Sequence, residues 1–198
     1  MLAFRGGEAR AFETLVLRHR GAIFNFILRQ TGQRARAEDV LQETWLKVVR
    51  SAGQWQPRAK VTTWLYTVAR NLCVDSARKE SYRRTETLGE AAPGEEHRRP
   101  VEPQADPVAN PDRSAHNREV RPLLEKALRS LSAEQREVFV LREYSGIAFK
   151  EIAEVTGVSE NTVKSRMRYA LEALRKKLAE LGVDGSPFGS DGERTAAG

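Results

Sequence analysis

The side chains best suited to bind another molecule lie in residues 149–168, a run that contains one amide, four hydroxyls, two lysines and two arginines. Ala153, Gly157 and Val163 follow one another at intervals of four and six residues, which is the spacing of a helix-turn-helix. Ala153 is small enough for two helices to cross closely, and Gly157 can adopt the left-handed backbone that ends a helix. Ser159 is a natural N-cap for the helix that follows. The pattern predicts a helix-turn-helix.

The second helix of this motif carries groups that can bond to base edges and phosphates in a major groove. Arg166 is the best candidate for a bidentate guanine contact, whereas Lys164 and Arg168 are suited to phosphates. We expect the DNA-facing residues to be Ser159, Glu160, Asn161, Thr162, Lys164, Ser165, Arg166, Arg168 and Tyr169. One half of the chain is therefore predicted to read duplex DNA.

The charge distribution fits a polyanionic partner. The net charge of the chain is +6, and residues 1–80 alone contain 14 Lys/Arg against 7 Asp/Glu, a net +7. Such a balance favours nucleic acid as a partner. Charge alone fits a solvated basic face equally well.

The sequence gives little support for a metal site, a disulfide or a membrane-spanning segment. Cys73 is the only cysteine, and the histidines, His19, His97 and His116, are widely separated, so we expect no disulfide, metal site or cofactor. The N-terminus lacks a signal peptide, and no apolar run is long enough to cross a bilayer. We therefore expect a cytoplasmic protein without membrane insertion.

The hydrophobic periodicity predicts an all-α fold of two small helical domains. Residues 8–80 contain three amphipathic stripes and predict a three- to four-helix domain. Residues 81–117 contain five of the eight prolines and few large apolar residues, which predicts a flexible linker. Residues 118–181 predict four helices, with Pro122 in the first turn of the first. Residues 182–198 predict a disordered tail.

Two blocks in the N-terminal half, residues 37–48 and 63–72, resemble region 2 of the bacterial sigma-70 superfamily. Residues 131–178 resemble region 4 of the same family. Because a proline-rich segment joins them without a region 3 domain, the chain is most similar to the extracytoplasmic-function (ECF) sigma factors. The resemblance implies a non-enzymatic subunit that binds core RNA polymerase and directs promoter-specific initiation, and it implies an anti-sigma partner.

The resemblance also assigns roles to residues of the N-terminal half. Core polymerase binding falls on Asp39, Gln42, Glu43 and Leu46, which share one helical face at i, i+3, i+4 and i+7. Recognition of the −10 promoter element falls on Trp55, Lys60, Thr62, Thr63, Arg70, Asn71 and Arg78. Among these, Asn71 is suited to read a flipped base and Trp55 to stack on one, while Trp64 and Cys73 are expected to pack in or beside the core.

Three positions depart from the family pattern. Arg36 stands where an Asp commonly caps the region 2 docking helix, and Ala148 stands where Ser or Thr usually caps the first helix of the helix-turn-helix. A missing cap costs about 1 kcal/mol, so both helix starts are expected to fray. Tyr169 replaces a frequently basic residue, which predicts a different −35 sequence.

Two other classes of protein compete with this interpretation. A two-domain helix-turn-helix regulator would bind duplex DNA without being a polymerase subunit. An enzyme would use Glu38, Asp39 and Glu43 as metal ligands, but no histidine supports them and no nucleophile–base pair is evident.

Overall fold

The computed structural model describes residues 1–57, 60–87 and 114–183, and within these ranges the chain forms helices and no strand. The all-α prediction is confirmed. The N-terminal domain contains α1 (Leu2–Arg5), α2 (Ala9–Thr31), α3 (Arg34–Ser51), a 3-10 turn (Ala52–Gln54) and α4 (Val61–Thr87). The C-terminal domain contains α5 (Ser114–Arg129), α6 (Ala133–Phe139), a π-helical turn (Val140–Tyr144), α7 (Phe149–Thr156) and α8 (Glu160–Glu180).

Helix α2 is the central element of the N-terminal domain. Every residue from Ile23 to Arg29 is buried, which for an α-helix means that neighbours cover it on all sides. Helices α3 and α4 pack against it, and the C-terminal domain contributes α6 and the π-helical turn. The buried residues of both domains form one continuous cluster. In this structure the two domains are therefore packed against each other.

The short helix α1 precedes the domain start predicted at residue 8. Its Phe4 ring stacks on Phe12 at 4.9 Å between centroids, and Phe12 meets the edge of Trp45 at 6.2 Å. The Arg5 guanidinium donates a hydrogen bond to the Trp55 carbonyl oxygen at 3.0 Å. These contacts tie the N-terminus to the loop after α3.

Helix α3 begins three residues earlier than the family resemblance implied. Gln33 occupies the N-cap position and Arg34 is the first helical residue, so interpreting Arg36 as a failed N-cap was wrong. Arg36 lies in the first turn and pairs with Glu80 of α4. Arg36 therefore adds a contact between α3 and α4, and the N-cap position is occupied by Gln33.

Helix α5 also differs from expectation, because Pro122 lies in its interior and not in its first turn. A proline inside a helix removes one backbone hydrogen bond and costs about 3 kcal/mol, which is why the pattern favoured a later start. Residues 88–113, the centre of the predicted linker, and the tail from 184 lie outside the described residues. Helix is present at both edges of the predicted linker, up to Thr87 and from Ser114.

The helix-turn-helix forms as its residues predict. Gly157 has a left-handed backbone (φ 73°) and ends α7, while the Ser159 hydroxyl oxygen accepts from the Thr162 amide at 3.1 Å and caps α8. Ala148 provides no side-chain cap for α7, but the Glu151 carboxylate accepts from the Ala148 amide at 3.4 Å. One face of α8 is buried, through Val163, Met167, Ala170, Leu174 and Leu178.

The sequence also contains a capping box at the start of α6. The Gln135 amide donates to the Ser132 hydroxyl oxygen at 3.2 Å, and the Ser132 amide donates to the Gln135 side chain at 3.4 Å. No described helix is both long and apolar enough to cross a membrane.

Candidate nucleic-acid interface

The first half of α8 presents the polar surface predicted for the −35 element. Asn161, Lys164, Ser165, Arg168 and Tyr169 are exposed, whereas Glu160, Thr162 and Arg166 are half-buried. Lys164 pairs with Glu160 one turn earlier at 2.7 Å. The Arg168 guanidinium donates to the Tyr169 hydroxyl at 3.1 Å and lies 4.9 Å from the centre of its ring. All of these contacts are local to α8.

Arg166 is anchored more deeply than its neighbours. The pKa of Glu134, in the first turn of α6, is lowered mainly by its own backbone hydrogen bond and by a hydrogen bond from the Ser132 side chain. The positive charge of Arg166 lowers it further, to a smaller extent. Arg166 is therefore half-buried on the side of α8 that faces α6.

The residues predicted to bind core polymerase form one exposed face of α3. Asp39, Gln42 and Glu43 are exposed, and the Leu46 side chain is 55% accessible. Val49, 44% accessible, extends the same face by nearly one turn. The opposite face is buried through Val40, Leu41, Thr44 and Val48. The structure thus separates this surface from the core of the domain.

The residues predicted for the −10 element do not form a comparable open surface. Asn71 and Arg78 are exposed on α4, and Lys60 is exposed just before it. Thr62 is half-buried and Thr63 is buried. Arg58, which adds positive charge nearby in the sequence, lies outside the described residues.

Trp55 is buried, although the sequence suggested a base-stacking role. Trp55 is only 7% accessible, and Arg5 donates a hydrogen bond to its carbonyl oxygen. Among the described residues, its indole N–H has no hydrogen-bond partner. In this arrangement the ring cannot stack on a base. Trp64, which was expected to be a core residue, is partly buried and packs against the core.

Two of the predicted −10 residues are instead paired with acids of the C-terminal domain. The Arg70 guanidinium donates to the Glu137 carboxylate at 2.9 Å, with both side chains largely buried. The Lys60 ammonium lies 2.6 Å from the Glu151 carboxylate. Sequence patterns gave no indication of either pair, because the partners are in different domains.

A third interdomain contact is centred on Arg29, which the sequence interpretation did not single out. This side chain is 5% accessible and lies 3.4 Å from the Glu125 carboxylate of α5, without the alignment of a hydrogen bond. Its guanidinium stacks over the Tyr144 ring at 3.7 Å. The π-helical turn places that ring, in keeping with the frequent occurrence of such turns at functional contacts.

Cys73 lies one helical turn beyond Arg70, and its thiol is buried. Burial, reinforced by the negative charge of Glu137, raises the pKa of Cys73 to about 12. The expected buried apolar role fits this environment, and the effect of Glu137 places the C-terminal domain close to the thiol. Within the described ranges, no cluster of His, Cys, Asp and Glu could hold a metal ion.

Comparisons with known proteins identify both domains. Residues 15–83 match the family model Sigma-70 region 2, and residues 121–174 match Sigma-70, region 4. The ECF RNA polymerase sigma factor SigL of Mycobacterium tuberculosis is 36% identical over 182 residues, covering 89% of this chain and 93% of SigL. The RNA polymerase sigma factor CarQ of Myxococcus xanthus is 33% identical, covering 93% of this chain and 98% of CarQ.

Solved structures show the same fold. The sigma factor RpoE, in complex with the anti-sigma factor NepR from Bartonella quintana, gives a TM-score of 0.69 at 24% identity, over 89% of this chain and all of that one. CnrH, in complex with the cytosolic domain of CnrY, gives a TM-score of 0.60 at 22% identity, over 91% of this chain and 93% of that one.

These matches separate the competing classes of protein. A regulator acting without polymerase accounts for the helix-turn-helix but not for a second domain that matches Sigma-70 region 2. Both regions occur in the expected order, and the SigL and CarQ matches extend over most of each protein. The chain belongs to the sigma-70 family and is a sigma factor of the ECF type.

Proposed function

We propose that this sigma factor uses three separate surfaces for polymerase binding, −10 recognition and −35 recognition. The exposed face of α3 binds core RNA polymerase, α4 with the loop before it reads and melts the −10 element, and the first half of α8 reads the −35 element. The observation that carries the proposal is the polar, exposed first half of α8 within a region 4 match, on a chain whose other domain matches region 2.

The α8 surface supports −35 recognition on chemical grounds. Arg166 offers a planar guanidinium fork for a guanine edge, a contact worth about 1–3 kcal/mol of discrimination. Lys164 and Arg168 offer positive charge for flanking phosphates, which gives affinity without sequence information. Tyr169 lies beside Arg168 and is 50% accessible. Its neutral hydroxyl can hydrogen-bond to DNA, whereas a basic residue at this position would contribute a positive charge.

The α4 surface supports −10 recognition through Asn71, Arg70 and Lys60. Separating base pairs costs stacking energy, which phosphate contacts and the capture of an unstacked base can offset. Asn71 is exposed and carries both a hydrogen-bond donor and an acceptor. The two basic residues supply charge for the backbone of the separated strand.

The α3 surface supports docking on core polymerase. It combines two carboxylates, an amide and the exposed aliphatic side chains of Leu46 and Val49, on a domain that is otherwise strongly basic. Apolar residues ringed by polar groups are typical of protein–protein contacts. A basic, partly apolar partner surface would complement it.

A reconstituted transcription assay tests the function. Core RNA polymerase is combined with the purified chain on a template carrying the promoter upstream of its own operon. We expect a discrete run-off product that depends on the chain and is lost with Asp39→Lys, while Glu13→Lys on α2, an equal charge change at an exposed site, serves as the control. Failure of the wild-type chain to bind core polymerase would contradict the proposal.

We also infer an anti-sigma partner. The support is that RpoE, which shares this fold, was solved with the anti-sigma factor NepR. The protein encoded next to this chain is the first candidate. Adding it to the transcription assay should abolish the run-off product, and undiminished run-off in the presence of a stable complex would exclude it as an inhibitor.

A further inference from the structure

The short helix α1 connects parts of the N-terminal domain that lie far apart in sequence. On one side, its Phe4 ring stacks on Phe12 of α2 at 4.9 Å between centroids, and Phe12 meets the edge of Trp45 of α3. On the other side, the Arg5 guanidinium donates a hydrogen bond to the Trp55 carbonyl oxygen at 3.0 Å. Helix α1 therefore joins the α2–α3 pair to the segment that follows α3.

The segment held by this hydrogen bond leads from α3 towards α4. It comprises the 3-10 turn and the three residues after it, and we call residues 52–57 the entry segment. Trp55 is buried, whereas the residues on either side of it, Gln54 and Gln56, are exposed. The buried indole ring is thus flanked by two solvent-exposed amide side chains.

Exposed amides can read nucleotide bases. A glutamine side chain carries a hydrogen-bond donor and an acceptor that can bond together to one base edge. Affinity is higher when the backbone that carries such an amide is already held in place, because ordering a loop on binding costs free energy. Trp55 and Gln56 lie outside α3 and α4, so contacts with other elements determine how firmly these amides are held.

Arg5 supplies a contact of this kind. The described structure gives Trp55 a local hydrogen bond, from its amide to the Ala52 carbonyl oxygen at 3.3 Å, and the hydrogen bond from Arg5. The Trp55 indole N–H has no partner among the described residues. A guanidinium donor makes a charge-assisted hydrogen bond, which is stronger than one between neutral groups. Arg5 is therefore the polar contact that ties Trp55 to another helix.

We propose that Gln54 and Gln56 are base-reading groups for the −10 element and that Arg5 is the residue that positions them. The inference rests on the function proposed above, which assigns the loop before α4 to the −10 element. Arg5 acts through Trp55 and does not itself touch the separated strand. The two amides take the place in base recognition that the buried Trp55 ring cannot fill.

Arg5 can be replaced without disturbing the core. Its side chain is exposed, so Arg5→Ala removes the hydrogen bond and opens no cavity. Arg10, exposed in the first turn of α2, has the same charge, and the described structure gives its side chain no bond. Arg10→Ala is therefore the matched control, because both variants lose one positive charge and the same general attraction to DNA.

The test measures binding of the −10 strand by the holoenzyme. Core polymerase is combined with wild type or a variant, and fluorescence anisotropy gives the Kd for a fluorescein-labelled single strand carrying the non-template −10 element of the chain's own promoter. The variants are Arg5→Ala, the amide variant (Gln54→Ala with Gln56→Ala), and the two combined. Arg5→Lys, which keeps the charge and a donor, is the conservative variant, and circular dichroism checks that the helices of each are intact.

We expect Arg5→Ala to weaken binding about fivefold relative to Arg10→Ala, and the amide variant to weaken it about tenfold relative to wild type. If Arg5 acts through the amides, the combined variant should bind no more weakly than the amide variant with Arg10→Ala added. Arg5→Lys should recover most of the loss. A residue needed only for folding would instead weaken binding by the same factor in both backgrounds.

Losses that multiply in the combined variant would overturn the positioning role of Arg5, and equal affinities of Arg5→Ala and Arg10→Ala would do the same. Wild-type affinity in the amide variant would overturn the reading role of Gln54 and Gln56. The function itself is judged on wild type alone. A wild-type holoenzyme that binds the −10 strand no better than a scrambled strand would contradict −10 recognition, and this inference would fall with it.

Discussion

The two DNA-binding surfaces proposed for this sigma factor differ in how they are presented. The first half of α8 is accessible and its polar contacts are local, such as Lys164 with Glu160. The proposed −10 surface is engaged by the other domain, with Arg70 bonded to Glu137 and Lys60 paired with Glu151. A small helix-turn-helix needs only its own fold to bind, whereas a surface that captures separated strands can be controlled by covering it.

Cys73 provides the largest expected effect, because it lies beside the covered surface. With a thiol pKa of about 12, the native chain at pH 8 holds roughly 1,000-fold less thiolate than an ordinary cysteine. Alkylation of Cys73 by iodoacetamide in the native chain should therefore be at least about 100-fold slower than in the urea-unfolded chain. Equal rates in the native and unfolded chains would contradict this description.

The same thiol tests whether the C-terminal domain contributes to the protection. Glu125→Gln with Glu151→Gln leaves Glu137 in place, so any faster alkylation reports opening of the interface and not the loss of a neighbouring charge. We expect alkylation to accelerate by about tenfold, and we expect no acceleration with Glu154→Gln and Glu172→Gln.

The raised pKa of the Cys73 thiol also makes stability depend on pH. Because folding raises this pKa, the free energy of unfolding should fall as pH rises from about 8.5 towards 12.

Arg166→Ala tests the open surface. Losing a bidentate guanine contact should reduce discrimination between cognate and altered −35 duplexes by about 10- to 100-fold. The measurement is the relative use of promoters with altered −35 bases in the transcription assay. Arg175→Ala, at an exposed site about two and a half turns further along α8, is the matched control, and unchanged selectivity in the Arg166 variant would remove the assignment.

Asn71→Ala tests the proposed −10 surface without touching the interdomain ion pairs. We expect promoter opening to slow by about tenfold, through loss of the contact to a flipped base, while binding to a −35 duplex stays unchanged. Permanganate footprinting of the melted strand measures opening. Asp75→Asn, exposed one turn further along α4, serves as control. An equal loss at both steps would point to damaged folding and not to a base contact.

Ser159→Ala should have the smallest effect. It tests how much the N-cap of α8 contributes to the stability of the domain that carries the α8 surface. Removing this N-cap should lower the free energy of unfolding by about 1 kcal/mol, measured by urea denaturation. Ala148→Ser at the start of α7 should change it in the opposite direction, since it adds a cap beside the existing Glu151 contact. A stability unchanged by Ser159→Ala would mean that the cap is not formed in solution.

Local features of the fold could be predicted from sequence because their causes lie within a few residues. The left-handed Gly157, the cap at Ser159 and the buried stripe of α8 all follow from short spacings. The interior Pro122 was placed wrongly because a local penalty was outweighed by the packing of the domain, as α5 lies against α8.

The covered state of the −10 surface could not be predicted in this way. Arg70 and Glu137 are 67 positions apart and lie in different domains, and nothing in the periodicity of either helix indicates the pairing. Trp55 illustrates the same limit: an aromatic residue in a basic loop resembles a stacking platform, but α1 and its Arg5 hydrogen bond place it in the interior. Residue types predicted the candidates, and only the packing showed which are accessible.

The most direct test of the comparison measures both surfaces in one experiment. Wild type is compared with an interface variant (Glu125→Gln, Glu137→Gln and Glu151→Gln) and with a control variant (Glu154→Gln, Glu172→Gln and Glu180→Gln) at exposed sites. Each is titrated with a single-stranded DNA 20-mer of mixed sequence and, separately, with a duplex carrying the −35 element of the chain's own promoter. Relative to the control variant, the interface variant should gain affinity for the single strand and show no gain for the duplex. Equal affinities of the two variants for the single strand, or equal gains for both probes, would contradict the account.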